Sequence, residues 1–369
     1  MKCLMPAIGC LLLAAATSLA QKTQTEPDFK PLFNGKDLDG WVRVNTAEST
    51  WSVKDGMLIC TGKPIGELRT TRMYQNFILE VEWRHMKPRG NAGIFVWADD
   101  ITSRGVPFHR SIEVQVLENA YGSGKGHTTH GDIFPIHGAK MTPINGRGGG
   151  RAFPTENRSK PTPEWNHYRI ECRDGEISLA VNGKVVTRGK GCSPSKGYVC
   201  IESEGGIVHY RNMRIKELPD TPIDKQQIAI ADRGYKCLYN GIDLKNWKTM
   251  GKWQTSDWTL KSIDTASIAS RETYEPRGFI FDVRYGESAH LLSFSVGETE
   301  IQIDPANKAV ADALVKNGKW NRVEGTIAEG KVEVRLNGKQ VASVEAVDPK
   351  GAVSLRADGP MDLANIYVR

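Results

Sequence analysis

Short runs in which apolar and polar residues alternate follow one another along most of this sequence. In one such run, Ile112, Val114 and Val116 share one face of a predicted strand, and Glu113 and Gln115 share the other. The apolar row must pack on a core, so the polar row faces water or a ligand. Residues two apart on a strand are separated by roughly 7 Å. Glu113 and Gln115 could therefore contact one small molecule.

The same alternation predicts a series of short strands. They are Phe77–Arg84, Gly93–Ala98, Ser111–Leu117, Trp165–Cys172, Glu176–Val181, Lys184–Thr187, Tyr198–Ser203 and Val208–Ile215. Asn182-Gly183 and Asn337-Gly338 interrupt alternating segments and predict tight hairpins, because both residue types tolerate positive φ. No long helical pattern occurs. Many short strands with few helices indicate an all-β protein of the sandwich or jelly-roll class.

The sequence also contains an internal repeat. Its matching pairs are Phe33–Trp41 with Tyr239–Trp247, Trp165-Asn166 with Trp320-Asn321, and Asn182-Gly183 with Asn337-Gly338. The chain thus consists of two copies of one unit, the first of which holds a long insertion that the second lacks. We predict a first sandwich over residues 26–218, a linker rich in proline and acidic residues over 219–232, and a second, shorter sandwich over 233–369.

Residues 1–20 have the pattern of a secretory signal peptide. Lys2 is followed by an apolar run, and small residues precede Gln21. We therefore expect an exported protein, periplasmic or secreted. No other stretch approaches the roughly 20 apolar residues needed to cross a bilayer, so no membrane insertion is expected.

Cysteine and charge content exclude some classes of protein. The mature chain would keep five scattered cysteines, an odd count without zinc-site spacing, which predicts buried thiols with a local Cys192–Cys200 bridge as the alternative. The net charge is +6, and the 49 basic and 43 acidic residues are well mixed. Nucleic-acid-binding proteins usually concentrate basic residues on one face, so no nucleic-acid partner is expected.

Three predicted strands offer polar and aromatic side chains on the face opposite the core. These residues are Glu82, Arg84, Phe95, Trp97, Glu113 and Gln115. A sugar stacks its C–H faces on aromatic rings and needs fixed hydrogen-bond partners for its hydroxyls, so the set suits a small glycoside or disaccharide. For Phe95 and Trp97, packing beneath the insertion is the alternative interpretation.

Several motifs together resemble the DUF1080 family, which comprises 3-keto-disaccharide hydrolases and 3-keto-glucoside 1,2-lyase/2-hydroxy-glucal hydratases. The motifs are Phe33–Leu38 with Trp41, Glu82-Trp83-Arg84, Gly90–Ile94, Glu113–Asn119, Trp165-Asn166, Asn182-Gly183 and Tyr210–Ile215. The resemblance, which runs from about Phe29 to Leu218, implies a catalytic concanavalin A-like jelly roll. Together with the repeat, it leads us to expect two tandem jelly-roll sandwiches. It also implies cleavage of 3-keto-glycosides by elimination and hydration. This chain has Glu118 where the family usually has aspartate, and Ala92 where it usually has serine.

The resemblance leads to a set of expected roles. Glu113 or a histidine of the insertion is the base, and Glu118 or a histidine such as His130 protonates the leaving group. Glu82, Arg84, Asn91, Phe95, Trp97 and Gln115 form the expected substrate-binding set. No cofactor is required by the sequence, but His127, His130 and Asp132 could bind a divalent metal that polarises the C3 ketone.

Alternative functions remain open at this point. The spacing Glu113-x-Gln115-x-x-Glu118 is similar to the Glu-x-Asp-x-x-Glu signature of laminarinase-type β-glucanases, although Gln115 stands where that signature has an acid. A non-catalytic carbohydrate-binding jelly roll would also present such a face. An interaction module that presents its strands to a protein partner is the third alternative.

Overall fold

The computed structural model describes residues 28–121, 130–145, 149–286, 288–315 and 318–369. Within these ranges almost all regular structure is β, and the strands form four antiparallel sheets that pair into two sandwiches. The predicted all-β class of two tandem jelly-roll sandwiches is therefore confirmed. No helix in the described ranges is long and apolar enough to span a membrane.

The first sandwich contains fifteen strands. They are β1 (Lys30–Pro31), β2 (Trp41–Val44), β3 (Trp51–Lys54), β4 (Met57–Cys60), β5 (Gly66–Thr70), β6 (Phe77–His85), β7 (Gly93–Ala98), β8 (Ser111–Gln115), β9 (Ile133–Ile136), β10 (Lys140–Pro143), β11 (Asn166–Arg173), β12 (Glu176–Val181), β13 (Lys184–Ser193), β14 (Tyr198–Ser203) and β15 (Val208–Glu217). The nine-stranded sheet has the order β10-β13-β12-β11-β6-β15-β4-β3, with β1 beside β15. The six-stranded sheet has the order β2-β5-β14-β7-β8-β9. A 3-10 turn, Glu48–Thr50, precedes β3.

The second sandwich follows a 3-10 turn at Lys225–Gln227. Its elements are β16 (Lys236–Cys237), β17 (Trp247–Met250), β18 (Trp253–Ser256), β19 (Thr259–Ser262), β20 (Thr265–Tyr274), β21 (Gly278–Tyr285), β22 (Leu292–Val296), β23 (Thr299–Ile303), α1 (Lys308–Ala313), β24 (Trp320–Ala328), β25 (Lys331–Leu336), β26 (Lys339–Glu345), β27 (Gly351–Asp358) and β28 (Met361–Val368). One sheet has the order β18-β19-β28-β21-β24-β25-β26, with β16 beside β28. The other has the order β17-β20-β27-β22-β23.

The alternation read from the sequence matches the burial of β8. Ile112, Val114 and Val116 are fully buried in the core between the two sheets of the first sandwich. The four apolar residues of β6 that alternate from Phe77 to Trp83 pack in the same core. Glu113 and Gln115 consequently lie on the opposite face of their sheet.

Both Asn-Gly turns form as predicted. Asn182 and Gly183 have φ of 47° and 87°, and Asn337 and Gly338 have φ of 53° and 82°. Two successive positive φ angles are the mark of a type I′ hairpin. Each asparagine also donates from Nδ2 to a second asparagine, at 3.0 Å in the first sandwich and 2.8 Å in the second.

The repeated opening motif forms the same turn in both sandwiches. Asn34 Oδ1 accepts hydrogen bonds from the backbone N–H groups two and three residues later, at 2.8 and 3.0 Å. Asn240 does the same at 2.9 and 3.0 Å. Because the side chain mimics a backbone turn, this motif serves the fold rather than the chemistry.

The five cysteines within the described ranges are free thiols. Four of them are buried, as the sequence predicts, and Cys237 is half-buried. Cys192 lies on β13 and Cys200 on β14, which belong to different sheets. The alternative of a local bridge between them is therefore wrong.

The loop between β7 and β8, residues 99–110, lies against the second sandwich, and we name it the bridging loop. Asn365 Nδ2 donates to the carbonyl oxygen of Val106 at 3.0 Å. The backbone N–H of Gly105 donates to Asp282 Oδ2 at 2.9 Å. The second sandwich thus fixes a loop that leads directly into β8.

Candidate active site

The face of the six-stranded sheet that points away from the core carries two adjacent rows of side chains, assigned from the strand register. The first row runs across β5, β14, β7 and β8 as Glu67, Glu202, Gly93 and Gln115. The second row runs across the same strands as Arg69, Cys200, Phe95 and Glu113. Acids from three different strands therefore share one face.

Gly93 leaves a gap in the first row that two carboxylates enter. A Cβ at this position would lie 2.9 Å from Glu202 Oε2 and 3.0 Å from Glu113 Oε1. Both oxygens thus converge above the glycine, and their separation is at most the sum of those two distances. We name Glu113 and Glu202 the carboxylate pair. A residue larger than glycine would force the pair apart.

Burial and mutual repulsion keep the carboxylate pair from ionising freely. Glu113 is 7% exposed and Glu202 is 1% exposed. Burial, reinforced by the charge of Glu204, raises the pKa of Glu113 to about 8. Burial and the charge of Glu113 raise the pKa of Glu202 well above its ordinary value. Two carboxyl groups this close influence each other's ionisation and titrate as one unit.

Glu204 extends this group towards the surface. It is half-buried, and burial raises its pKa, although hydrogen bonds from Glu202 and Asn91 oppose the rise. Asn91 Nδ2 donates to Glu204 Oε2, and Asn91 Oδ1 accepts from Gln115 Nε2 at 2.9 Å. Gln115 Nε2 also donates to the carbonyl oxygen of Ala92 at 3.1 Å. The two predicted sugar-binding amides therefore hold Glu204 in place.

Arg151, from the insertion, brings a positive charge to Glu113. Its guanidinium lies 3.4 Å from the ring centroid of Phe134, which pairs with Glu113 across β8 and β9. Arg151 Nη1 donates to Asp132 Oδ2 at 3.1 Å. The charge of Arg151 opposes the rise in the pKa of Glu113, whereas burial remains the larger effect. The site thus combines two coupled carboxyl groups of raised pKa with an adjacent cation.

Phe95 lies on the predicted face but is not an open stacking surface. It is fully buried and makes an edge-to-face contact with Phe108, with ring centroids 5.7 Å apart. It packs with Ala98, Tyr198 and Cys200 in a small cluster on the outer side of the sheet. The alternative interpretation, packing beneath the insertion, describes Phe95 correctly, because Phe108 and Ile136 cover it.

The predicted position of Trp97 is wrong. Its φ is +55°, and the pairing of β7 with β14 shifts register beside it, so the alternation reverses at this residue. The side chain enters the main core, where Nε1 donates to the carbonyl oxygen of Gln75 at 2.8 Å. Gly197 allows the irregularity, because a Cβ there would lie 2.4 Å from the carbonyl carbon of Trp97.

Glu82 and Arg84 do not join the site either. Both lie on β6, which belongs to the nine-stranded sheet, and they face away from the core on the opposite side of the sandwich. Glu82 pairs with Arg211 at 2.6 Å, and the Arg84 guanidinium lies 4.5 Å from the ring centroid of Trp165. Alternation shows which residues share a strand face, but not which sheet contains the strand.

Glu118 and His130 form a separate group. Glu118 Oε2 accepts backbone hydrogen bonds from Arg89 and Ala120, each at 2.8 Å. Burial would raise the pKa of Glu118, but these hydrogen bonds hold it below its ordinary value. Burial lowers the pKa of His130, and the charge of Glu118 opposes that shift. Neither residue is among the charged groups that shift the pKa of Glu113 most, which are Glu204, Arg151, Glu67 and Asp132.

The predicted metal ligands are only partly described. His127 lies outside the described residues, and Asp132 pairs with Arg151. Among the described residues, the one group of three side chains spaced to hold a metal ion is Glu67, His109 and Cys200. The metal site at His127, His130 and Asp132 stays a prediction.

Glu202 and Glu204 were not among the residues predicted for the site. They follow the same alternation as Glu113 and Gln115, because Val199 and Ile201 face the core while Cys200 and Glu202 face outwards. The pattern is therefore visible in the sequence. What the sequence does not show is that β14 lies beside β7, one strand away from β8.

The comparison with known families decides the assignment. Residues 28–216 match the model of the 3-keto-alpha-glucoside-1,2-lyase-like domain. The chain belongs to this family. Membership makes it a carbohydrate-active protein and confirms the resemblance drawn from the motifs. Among proteins of curated function, none matches the chain.

Some solved structures align with about half of this chain. A candidate glycosyl hydrolase from Parabacteroides distasonis is 24% identical over 52% of this chain and 100% of that one, with a TM-score of 0.41. A carbohydrate-binding module of class 66 from Bacillus subtilis is 11% identical over 48% and 95%, with a TM-score of 0.35. A Bacillus licheniformis β-glucanase is 12% identical over 53% and 100%, with a TM-score of 0.33. Likeness at this level carries no argument about function.

Proposed function

We propose that this family member cleaves the glycosidic bond of 3-keto-glycosides by elimination at the carboxylate pair. A ketone at C3 acidifies the proton on C2, so that a carboxylate base can remove it. The electron pair left on C2 forms a C1–C2 double bond as the bond from C1 to the aglycone oxygen breaks. The products are the aglycone and an unsaturated keto sugar.

The single observation that supports this proposal is the convergence of Glu113 and Glu202 above Gly93. Elimination needs one ionised group to accept the C2 proton and one protonated group to donate to the leaving oxygen. Glu113, whose pKa is about 8, ionises near neutral pH, whereas burial and the charge of Glu113 keep Glu202 protonated, so the pair supplies both states. After the reaction the two groups have exchanged states, and a proton exchange between them restores the starting form.

Arg151 has a complementary role in this proposal. Removal of the C2 proton places negative charge on the C3 oxygen, as in an enolate. A fixed guanidinium beside Glu113 stabilises that charge more strongly than it stabilises the neutral ketone, and this difference accelerates the reaction. Its ion pair with Asp132, at 3.1 Å, and its stacking on Phe134 hold the guanidinium in place.

A hydration step would convert the elimination into net hydrolysis. Water adds across the C1–C2 double bond of the unsaturated keto sugar, with its oxygen joining C1 and its proton joining C2. The carboxylate pair can assist this step: the protonated carboxyl donates its proton to C2, and the ionised carboxylate accepts a proton from the water. The overall reaction then yields the aglycone and a free 3-keto sugar.

Turnover of paired substrates tests the proposal. The full chain is incubated with a 3-keto-α-glucoside and with the same glucoside unoxidised, and the products are followed by NMR. We expect consumption of the keto substrate alone, with a loss of at least about 10³-fold in Glu113→Gln and Glu202→Gln. Glu300→Gln changes the exposed glutamate at the corresponding position of the second sandwich and is the matched control, with activity unchanged.

The same experiment separates the alternative functions. Consumption of the unoxidised glucoside would instead favour direct hydrolysis of the laminarinase type, and binding without consumption would favour a carbohydrate-binding module. A binding module would be favoured by site carboxylates tied up in salt bridges with Arg84 or Arg110. Arg110 pairs with Asp99 at 2.8 Å, and Arg84 lies on the other sheet. These contacts support the enzyme over the binding module.

We propose in addition that the protein is exported, on the basis of the signal-peptide pattern in residues 1–20. N-terminal sequencing of the mature protein tests this directly. We expect the mature chain to begin at Gln21, after the small residue Ala20. A chain that keeps its first twenty residues in the cytoplasm would contradict the proposal.

A further inference from the structure

Three metal-binding side chains from separate segments meet on the outer face of the six-stranded sheet. Glu67 comes from β5, Cys200 from β14 and His109 from the bridging loop. All three are 0% exposed, and one ligand atom from each lies within 4.8 Å of the other two. We propose that these residues, named the metal triad, bind a divalent transition-metal ion of the zinc type.

The donor set matches the chemistry of zinc. Thiolate, imidazole and carboxylate are its three common protein ligands, at about 2.0–2.3 Å from the ion. In tetrahedral geometry, donors at those distances lie roughly 3.3–3.8 Å from one another. His109 Nδ1 lies 3.8 Å from Cys200 Sγ, which fits, and 2.7 Å from Glu67 Oε2, which is a hydrogen-bond distance. An ion would replace the proton between His109 and Glu67, and these two side chains would spread by about half an ångström.

The surroundings of the metal triad favour a bound cation. The thiol packs in a small cluster with Phe95, Ala98 and Tyr198, where uncompensated polar groups are costly. A divalent ion with one thiolate, one carboxylate and one neutral imidazole forms a complex with no net charge. Arg69 is the neighbouring cation, and its guanidinium lies 3.5 Å from Asp232 and 4.2 Å from the centroid of Tyr198. Its charge therefore has a partner other than the metal triad.

The position of the metal triad suggests a structural role. His109 is followed by Arg110 and then by β8, which carries Glu113. Glu67 pairs with Glu202 across β5 and β14. An ion here would fasten the bridging loop to β14, which carries Glu202, and to the adjacent strand β5. Because the three ligands are fully buried, the ion would enter while the chain folds rather than afterwards.

Metal content of the purified full chain tests this inference, which does not rest on the proposed reaction. The protein is produced with added zinc, dialysed, and measured by mass spectrometry of the metal. We expect about one equivalent in the wild type and in Cys60→Ser, and loss of the ion in Cys200→Ser and His109→Gln. Cys60 is the matched control, because it is also a buried thiol but lies on β4 of the other sheet.

A cobalt spectrum gives a second readout, compared between the wild type and Cys200→Ser. Production with Co²⁺ should give the intense thiolate-to-cobalt absorption of the wild type, and this band should be absent from Cys200→Ser. A wild-type chain that retains no metal and shows no such band would overturn the inference. Equal metal retention in Cys200→Ser and His109→Gln would also overturn it, because the ion would then lie elsewhere. If His109→Gln fails to fold, the metal content of Cys200→Ser and the cobalt spectrum still test whether the metal triad binds an ion.

Discussion

The two sandwiches place the same two residues in the same register but use them differently. In the first, Gln115 pairs with Gly93 and Glu113 pairs with Phe95. In the second, Gln302 pairs with Ser293 and Glu300 with Ser295. Glu113 and Gln115 are buried, whereas Glu300 and Gln302 are exposed. The Glu-x-Gln motif is therefore a feature of the repeated strand, and it does not make a site on its own.

The neighbouring strands account for the difference. Beside Ser293 the next strand carries Arg356, where the first sandwich has Glu202. Ser293 also occupies the position that corresponds to Gly93, the residue that leaves room for two carboxylates in the first sandwich. The second sandwich thus has neither the second acid nor the gap. The Glu-x-Gln motif is present in both sandwiches. The outer face of the first sandwich differs from that of the second in its close pair of acids.

The insertion adds the remaining components. In the first sandwich β8 is covered at its outer edge by β9, and the same insertion supplies Arg151. In the second sandwich the equivalent strand, β23, is the edge of its sheet. Burial of Glu113, which raises its pKa, therefore depends on residues that the second copy lacks.

Apart from replacing the two glutamates themselves, the largest expected effect comes from filling the gap in the first row. Gly93→Ala places a methyl group about 3 Å from both oxygens of the carboxylate pair, so we expect a loss of kcat of at least about 10²-fold on a 3-keto-glucoside. Ser293→Ala is the matched change in the second sandwich and should leave kcat within about twofold of wild type. Full activity in Gly93→Ala would show that the convergence is not needed.

The next effect concerns the bridging loop. Asn365 is fully buried, has a φ of 51° and donates to both Val106 and Asp282, at 3.0 and 2.7 Å. Asn365→Ala removes both of these buried hydrogen bonds, so we expect the free energy of unfolding to fall by about 2 kcal/mol in urea denaturation. Asn212 has a φ of 50° but is exposed, and Asn212→Ala should cost less than half as much. Equal losses would contradict the role assigned to the second sandwich.

A smaller effect is a gain in stability when Glu113 is neutralised. Folding raises the pKa of this carboxyl from 4.5 to about 8, so the folded state binds more protons than the unfolded state between these values. Wild-type stability should therefore fall as the pH rises through this window. Relative to wild type, Glu113→Gln should gain about 1 kcal/mol or more between pH 5 and pH 8. Glu300→Gln should show no such pH-dependent gain, and a flat difference for Glu113→Gln would argue against a raised pKa of Glu113 in the folded state.

The smallest effect is expected on the opposite side of the first sandwich. Arg84 contacts Trp165 and His209 on the nine-stranded sheet. Arg84→Ala should therefore leave kcat and KM within about twofold of wild type, whereas Arg151→Ala should lower kcat by at least about tenfold. A loss of activity in Arg84→Ala as large as that in Arg151→Ala would instead support the prediction from sequence that Arg84 lies in the same site as Glu113.

The sequence predicts local features of this protein well and spatial neighbours poorly. The faces of β8, the two Asn-Gly hairpins and the repeat follow from spacing along the chain, and the structure confirms them. The position of Trp97 depends on a register shift opposite Gly197, which no alternation of apolar residues reveals. Glu82 and Glu202 depend on which sheet contains their strands. Glu202 joins the site and Glu82 does not, although both sit in equally regular patterns.

Solvent deuterium provides the most direct test of the central claim that the carboxylate pair removes the C2 proton of a 3-keto-glycoside. The wild-type chain is incubated with a 3-keto-α-glucoside in D2O, and C2 of the released 3-keto sugar is examined by NMR. We expect deuterium to enter C2 at the same rate as the aglycone is released, and we expect neither process in Glu202→Gln. Aglycone release with the original hydrogen retained at C2 would contradict it.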